Sequence, residues 1–249
     1  DTGIGSDITS KPPEIPDIDE WEENDLLLWE KESLGFYFSG HPLKKYSTIL
    51  NKYCNASSLN INDFPNGKTI RIGGFLKLVK AHKTKKGDMM AFASIDDGQG
   101  IVEIVVFPDL YMDVHQLITD EEPVILEGDI QKKESSINLI AKKIVPIENA
   151  EEEWTANVVI TIDQSLNTKE NLERLKGLFS IYPGKCVSYM AVKSRDYPDV
   201  LIKNGDEFRV ASTREFFNEV ESIFGKDSIR TTCAPVKQRV REKRWPGKK

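Results

Sequence analysis

The chain has 249 residues, with 34 Lys and Arg against 40 Asp and Glu for a formal net charge of −6, and it is 39% hydrophobic and 30% charged. This balance is ordinary for a soluble protein of two compact units, and it excludes a binder that meets nucleic acid over its whole surface; any such contact has to be local. The longest apolar runs, Leu26–Trp29 and Ile104–Phe107, are far too short to span a bilayer, so no membrane partner is expected.

Three scattered cysteines (Cys54, Cys186, Cys233) and three scattered histidines (His41, His82, His115) offer neither a zinc spacing nor a disulfide framework. That pattern fits a reducing cytoplasm, with no cofactor expected in this segment. The start, Asp1-Thr2-Gly3-Ile4-Gly5, has no initiator Met and no secretory signal, so the chain reads as a cut through a longer protein. Charge is unevenly spread: acids crowd 14–32 and 148–153, bases 77–86 and 237–249.

Residues 1–19 carry Gly, Ser, Pro and Asp without apolar periodicity and read as a linker. Over 20–67 a helical segment is expected, with Trp21, Leu28 and Leu34 on its seam and Gly35 at its end. An extended stretch turning at Ser39-Gly40 and a short helix from Leu43 to Tyr53 follow. From 68 to 147 the period becomes that of strands: Thr69–Ala81, Met89–Ile95, Ile101–Phe107, a helix Asp109–Leu117, then Val124–Ile130 and Ile137–Val145. The glycines Gly73-Gly74 read as the place where a long barrel strand bends, and Asp97-Gly98 is a hairpin signal. Three strands, a helix and two strands is the order of the five-stranded OB-fold barrel.

The acidic run Glu148–Glu153 reads as a separator before a small α/β unit over 154–232, of order β-α-β-β-β-α. Its strands are expected at Val158–Ile162, Cys186–Val192, Asp199–Ile202 and Glu207–Val210. One helix opens at Asn167 and buries Leu172, Leu175, Phe179 and Tyr182. A second opens at Ser212 and buries Phe216, Val220, Ile223 and Phe224. Residues 233–249 form a basic tail. The fold class expected is therefore mixed: a helical segment, an OB-fold barrel and a small α/β domain.

An OB barrel exposes strands two and three, with loops one-two and four-five, as a groove for oligonucleotides or oligosaccharides. Lys83, Lys85 and Lys86 fall in the first loop and Lys132 and Lys133 in the second, where ammonium groups would neutralise phosphates. A single loop lysine is ordinarily only solvated; five at both rims of one groove weaken that view. If Ala91, Ala93 and Ile95 point inward, alternation turns Met90, Phe92 and Ser94 to the groove, and Phe92 becomes a platform on which a base stacks. A barrel core position for Phe92 is an equal alternative. Arg71 and Lys77 on the first strand complete the candidate nucleic-acid contacts, and Glu103 keeps the groove from being uniformly positive.

Catalytic residues are not expected. Asp96-Asp97 is a carboxylate pair, but it sits at a hairpin turn where Asp serves the backbone, and no phosphate loop or Ser-His-Asp arrangement is present.

The stretch Trp29-Glu30-Lys31-Glu32-Ser33-Leu34-Gly35-Phe36-Tyr37-Phe38-Ser39-Gly40-His41-Pro42-Leu43 resembles the alpha subunits of bacterial DNA polymerase III. The likeness continues through Ile70–Gly74, Thr84–Ala93 and Val102–Tyr111, covering about 20–147, with a weaker likeness after 154. The resemblance implies a DNA-directed DNA polymerase, a nucleotidyltransferase, whose catalytic acids lie in upstream domains absent here. It implies that the OB-fold contacts single-stranded template DNA and that the terminal domain engages the clamp-loader tau subunit in the replisome. It also implies a sliding-clamp peptide of Gln-x-x-Leu/Met-Phe type before the marker. Residues 1–35 hold none, so clamp contact would run through a motif outside this chain. The alternative from another class is a free-standing OB module that binds tRNA, which would lack the marker.

Overall fold

The computed structural model describes residues 21–35, 37, 40–118, 122–134, 136–193 and 198–238. The expected linker over 1–19, the turn at Ser39 and the basic tail beyond 238 lie outside the described residues. The chain divides at Pro42 into two compact units. In the first, helix α1 (Glu23–Leu34) ends where Gly35 takes a left-handed φ of 79°, as its lack of a Cβ permits. The rings of Trp21 and Trp29 pack 5.6 Å apart along it. No described helix is long and apolar enough to cross a membrane.

The second unit opens with α2 (Ser47–Tyr53) and then builds the barrel from β1 (Thr69–Lys83), β2 (Met89–Asp96), β3 (Ile101–Val106), β4 (Pro123–Lys132) and β5 (Ile137–Pro146), with α3 (Pro108–Val114) between β3 and β4. The strands close in the order β1-β2-β3-β5-β4. Closure depends on the length of β1, 15 residues, which pairs with β4 through its first half and with β2 through its second. The parallel pairing of β3 with β5 completes the ring. Inside, Ile70, Ile72, Leu76, Ile95, Ile104, Leu126 and Leu139 are buried to 1% exposure or less. Gly73 and Gly74 serve close approach: a Cβ on Gly73 would meet Leu50 at 2.2 Å, and one on Gly74 the Asp96 carbonyl at 2.4 Å.

The acidic run expected as a separator is instead a short helix, α4 (Ala150–Trp154), whose Ala150 and Trp154 are buried. They join Tyr53, Ile125, Val145 and Ile147 in a core shared by barrel and α/β unit. Around this core lie Tyr53 and Thr155, whose hydroxyls meet at 2.9 Å, and Lys52, which binds Glu151 at 3.0 Å and also donates to Thr231. Burial pushes the Cys54 thiol beside them up to about 12.

Arg71 belongs to this junction, which corrects its assignment to the nucleic-acid groove. It is 3% exposed, donates from Nε to Glu127 Oε2 at 2.7 Å and from Nη1 to the Ala234 carbonyl at 2.8 Å, and lies 5.1 Å from the centre of the Trp154 ring. A guanidinium so enclosed cannot reach a phosphate.

Beyond α4 the order is β6 (Thr155–Asp163), α5 (Lys169–Ile181), β7 (Pro183–Lys193), β8 (Val200–Lys203), α6 (Arg214–Phe224) and β9 (Ile229–Cys233), in a sheet ordered β8-β7-β6-β9. The unit is thus α/β as expected, but its order is β-α-β-β-α-β. The strand expected at Glu207–Val210 is a turn of 3₁₀ helix at Asp206–Phe208 followed by isolated bridges from Val210. An unforeseen strand, β9, pairs antiparallel with β6. Val158, Ile160 and Ile162 of β6 pack under Leu175 and Phe179 of α5 and Phe216 and Val220 of α6. Leu178 takes the buried place expected for Leu172, which is 38% exposed. Thr168 and Thr213 cap the two helices, each one residue later than expected, and Ser212 instead donates to the Glu151 carbonyl at 2.8 Å across the junction.

Arg71→Ala leaves Glu127 largely buried without its partner and is expected to lower stability by about 3 kcal/mol in urea denaturation, with Arg71→Lys falling in between. Glu153 supplies the pH test. Partial burial works against its carboxylate, but Lys143 and Lys185 outweigh it and hold the pKa below the ordinary 4.5. The folded value is depressed, so this contribution is present above pH 4.5 and lost as pH falls through the folded pKa. A melting-temperature series from pH 6 down to about 3 should therefore fall less steeply for Glu153→Gln than for the unaltered chain.

Candidate nucleic-acid interface

The face expected for ligand is set by β2 and β3. Ala91, Ala93 and Ile95 point into the barrel core, so Phe92 is turned outward, 47% exposed. Its ring lies 6.2 Å from that of His82. Met90, expected beside it on the groove, is 8% exposed and cannot serve as an open platform. Ser94 is covered as well, its hydroxyl donating to the Lys77 carbonyl at 3.1 Å. The outward face of β2 is thus narrowed to Phe92, with Met90 and Ser94 on either side of it covered.

That bulge lies between Lys77 and Lys80, so Lys80 pairs across from Phe92. A cavity of about 210 Å³ opens here, lined by Leu78, Lys80, Phe92, Glu103, Val105 and Asn138 among others. Lys77 is turned from this cavity into an ion pair with Asp96. Lys83, Lys85 and Lys86 are exposed at the tip of the β1–β2 loop, which is closed by Thr84 N–H to the Asp88 carbonyl at 2.8 Å and by Gly87 at a φ of 98°.

The β4–β5 loop behaves differently. Lys132 donates from Nζ to the Asn62 carbonyl at 2.7 Å, and with Lys133 it lines a second cavity of about 470 Å³ beside Ser58, Ile101 and Val102. The two cavities flank β3, one taking Ile101 and Val102 and the other Glu103 to Val105. Asn138 lies across the parallel ladder from Glu103, and the groups around it assign its amide the flipped orientation, in which Nδ2 donates to Glu103 Oε2 at 2.9 Å and Oδ1 accepts from Lys133 Nζ at 3.2 Å. Lys133 is thereby drawn toward the groove floor.

Asp96 and Asp97 do serve the hairpin: Asp97 accepts from the N–H groups of Ser58, Gln99 and Gly100, and Asp96 from Gly98. The structure adds Leu78, Lys80, His82 and Asn138 to the residues on this face. Lys80 was concealed in the sequence because a β-bulge leaves no composition signal, and Asn138 because it lies on a strand joined to β3 only in three dimensions.

Residues 65–147, the barrel, match the family described as an OB-fold nucleic acid binding domain, tRNA_anti-codon. The DNA polymerase III alpha subunit of Aquifex aeolicus is 32% identical over 163 residues, covering 64% of this chain and 14% of the relative. That of Mycobacterium leprae is 28% identical over 229 residues (90% and 19%), and that of Escherichia coli 22% over 212 residues (84% and 18%). The chain thus spans less than a fifth of the length of these relatives. Among solved structures, the mitochondrial single-stranded DNA binding protein Rim1 of S. cerevisiae superposes over 33% of this chain and 95% of its own, at 19% identity and a TM-score of 0.27. The second OB-fold domain of replication protein A from Methanococcus maripaludis does so over 35% and 92%, at 15% identity and a TM-score of 0.28. With its closed five-stranded barrel the chain carries an OB-fold, and along most of its length it is similar to a region of DNA polymerase III alpha subunits.

Proposed function

We propose that this chain is a non-catalytic segment of a cytoplasmic DNA polymerase III alpha subunit that binds single-stranded template DNA across the β2–β3 face of its barrel. The observation that carries the proposal is Phe92: an aromatic ring 47% exposed on the outer face of a closed barrel, beside a cavity and next to a loop bearing three free-standing lysines. A large apolar side chain in that position stabilises no core, and flat rings at such places stack bases. The lysines add an attraction to phosphate that weakens with salt. Arg71, Lys77 and Met90 take no part, and Lys132 is held by Asn62, so the electrostatic contribution falls mainly to Lys80, Lys83, Lys85 and Lys86.

In fluorescence anisotropy with labelled oligonucleotides, Lys85→Ala with Lys86→Ala is expected to lower the salt slope of single-strand binding by about 2. Phe92→Ala is expected to cost about 1–3 kcal/mol at every salt concentration. An unchanged slope would mean that this loop does not touch the phosphate backbone; no salt-sensitive binding of single-stranded DNA would count against the polymerase reading, and equal preference for folded tRNA would favour a free-standing tRNA-binding barrel.

The α/β unit is proposed to dock the tau subunit of the clamp loader, and clamp contact to run through a motif outside this chain. Support for the docking role is the placement of the unit: α4 and β9 bond it rigidly to the barrel, so a partner held there is held at a fixed distance from the groove. Pull-down of tau by residues 1–249 but not by a chain carrying charge reversals on exposed α5 positions Glu173 and Lys176 is the expected result; no retention of tau by the unaltered chain would refute it.

A further inference from the structure

The cavity beside Phe92 has an apolar wall that is held open under backbone strain. Between Lys77 and Lys80, β1 slips register against β2, and Leu78 takes a φ of 55°, in the left-handed region that side chains with a Cβ enter only at a cost. Glycine would sit there freely. Leu78 is nonetheless 68% exposed, so no core packing offsets the strain. Strain without a packing gain is characteristic of ligand contacts. Leu78 and Phe92 together give the cavity apolar walls, and its volume of about 210 Å³ lies below the usual range for small-molecule pockets, which favours a single one-ring group.

The polar wall is equally specific. Glu103 is exposed, but its carboxylate is steadied by the chain Lys133–Asn138–Glu103, and Asn138 at its middle is 7% exposed. An ionised carboxylate only accepts hydrogen bonds. Set at the wall of a one-ring cavity, it attracts an exocyclic amine such as cytosine N4–H₂ and repels the O4 carbonyl that thymine carries at the same ring position.

We propose that this cavity seats one base of a bound single strand between Leu78 and Phe92, and that Glu103 selects cytosine over thymine there. The proposal rests on the single-strand reading above and names the residue that would give it a sequence preference. Glu103, which at first only spoils a basic groove, becomes the base-reading residue. Lys133 becomes a positioning residue acting through Asn138, not a phosphate contact.

The test compares all-thymine oligonucleotides with otherwise identical ones carrying a single central cytosine, by anisotropy on the whole chain. The cytosine strand is expected to bind about fivefold tighter, the worth of one charge-assisted hydrogen bond in a partly solvated site. Glu103→Gln, whose amide both donates and accepts, should bring the ratio to about one while thymine-strand binding persists. Leu78→Gly should raise the melting temperature by removing the strain, yet weaken binding of both strands. Equal binding of the two strands by the unaltered chain, or a ratio that survives Glu103→Gln, overturns the assignment. Loss of all salt-sensitive binding to either strand is a different result: it removes the single-strand reading itself, and this assignment with it.

Discussion

The buried guanidinium of Arg71 is the contact on which the arrangement of the larger unit depends. A charge taken out of water has to be met by partners in good geometry, and arginine presents five donors in a rigid fork for this purpose. Here the fork meets Glu127 across the β1–β4 ladder and the carbonyl of Ala234 just past β9, while the ring of Trp154 covers it. Trp154 begins the α/β unit and Ala234 follows its last strand, so one side chain of the barrel holds both ends of its neighbour. Ser212 to Glu151 and Lys52 to Glu151 and Thr231 bind the same joint from other directions.

This arrangement divides the labour along β1. Its first half, through Phe75, is occupied with β4 and the junction; its second half, from Phe75 to Lys83, pairs with β2 and carries the open face. The bulge at Leu78 falls in the second half, where the strand is relieved of structural duty on its outer side. Strain is tolerated there because the well-packed core behind it, with Leu76 and Ile95 fully buried, fixes the backbone on both flanks. The result is a rigid scaffold with a small, partly polar depression on its surface, as recognition sites on barrels commonly are.

Charge on this chain is a matter of placement. A net charge of −6 coexists with an exposed lysine loop because many of the acids are engaged with bases or amides elsewhere: Asp96 with Lys77, Asp129 with Lys142, Glu153 with Lys143 and Lys185, Asp97 with backbone N–H groups. The lysines of the β1–β2 loop keep their charge for solvent or ligand. The acidic run over 148–153, which in sequence looks like a solvated spacer, is instead absorbed into the joint through Glu151 and Glu153.

What the sequence by itself determined were the features set by local chemistry: the inward Ala91, Ala93 and Ile95 of β2, the Asp-Gly hairpin, the end of α1 at Gly35, the buried face of α6 and Leu175 and Phe179 on α5, and through these the OB-fold and the α/β class of its companion. The family likeness was equally legible in the run from Trp29 to Leu43. Only the tertiary structure decided which polar residues face the groove. Arg71 and Phe92 both lie on strands with alternating patterns, and nothing within either strand says that one is enclosed by Glu127, Trp154 and Ala234 while the other is open. Leu78 and Lys80 were gained because a single extra residue in the β1 bulge reverses the alternation on that strand, and Met90, at the end of β2, is covered in the closed fold. The strand β9 was hidden for a related reason: an edge strand reading Ile-Arg-Thr-Thr-Cys has little apolar signal of its own and is fixed by the ladder it completes with β6. Pairing across distant segments is a property of the closed fold, and it placed Asn138 beside Glu103, where no local pattern could have put it.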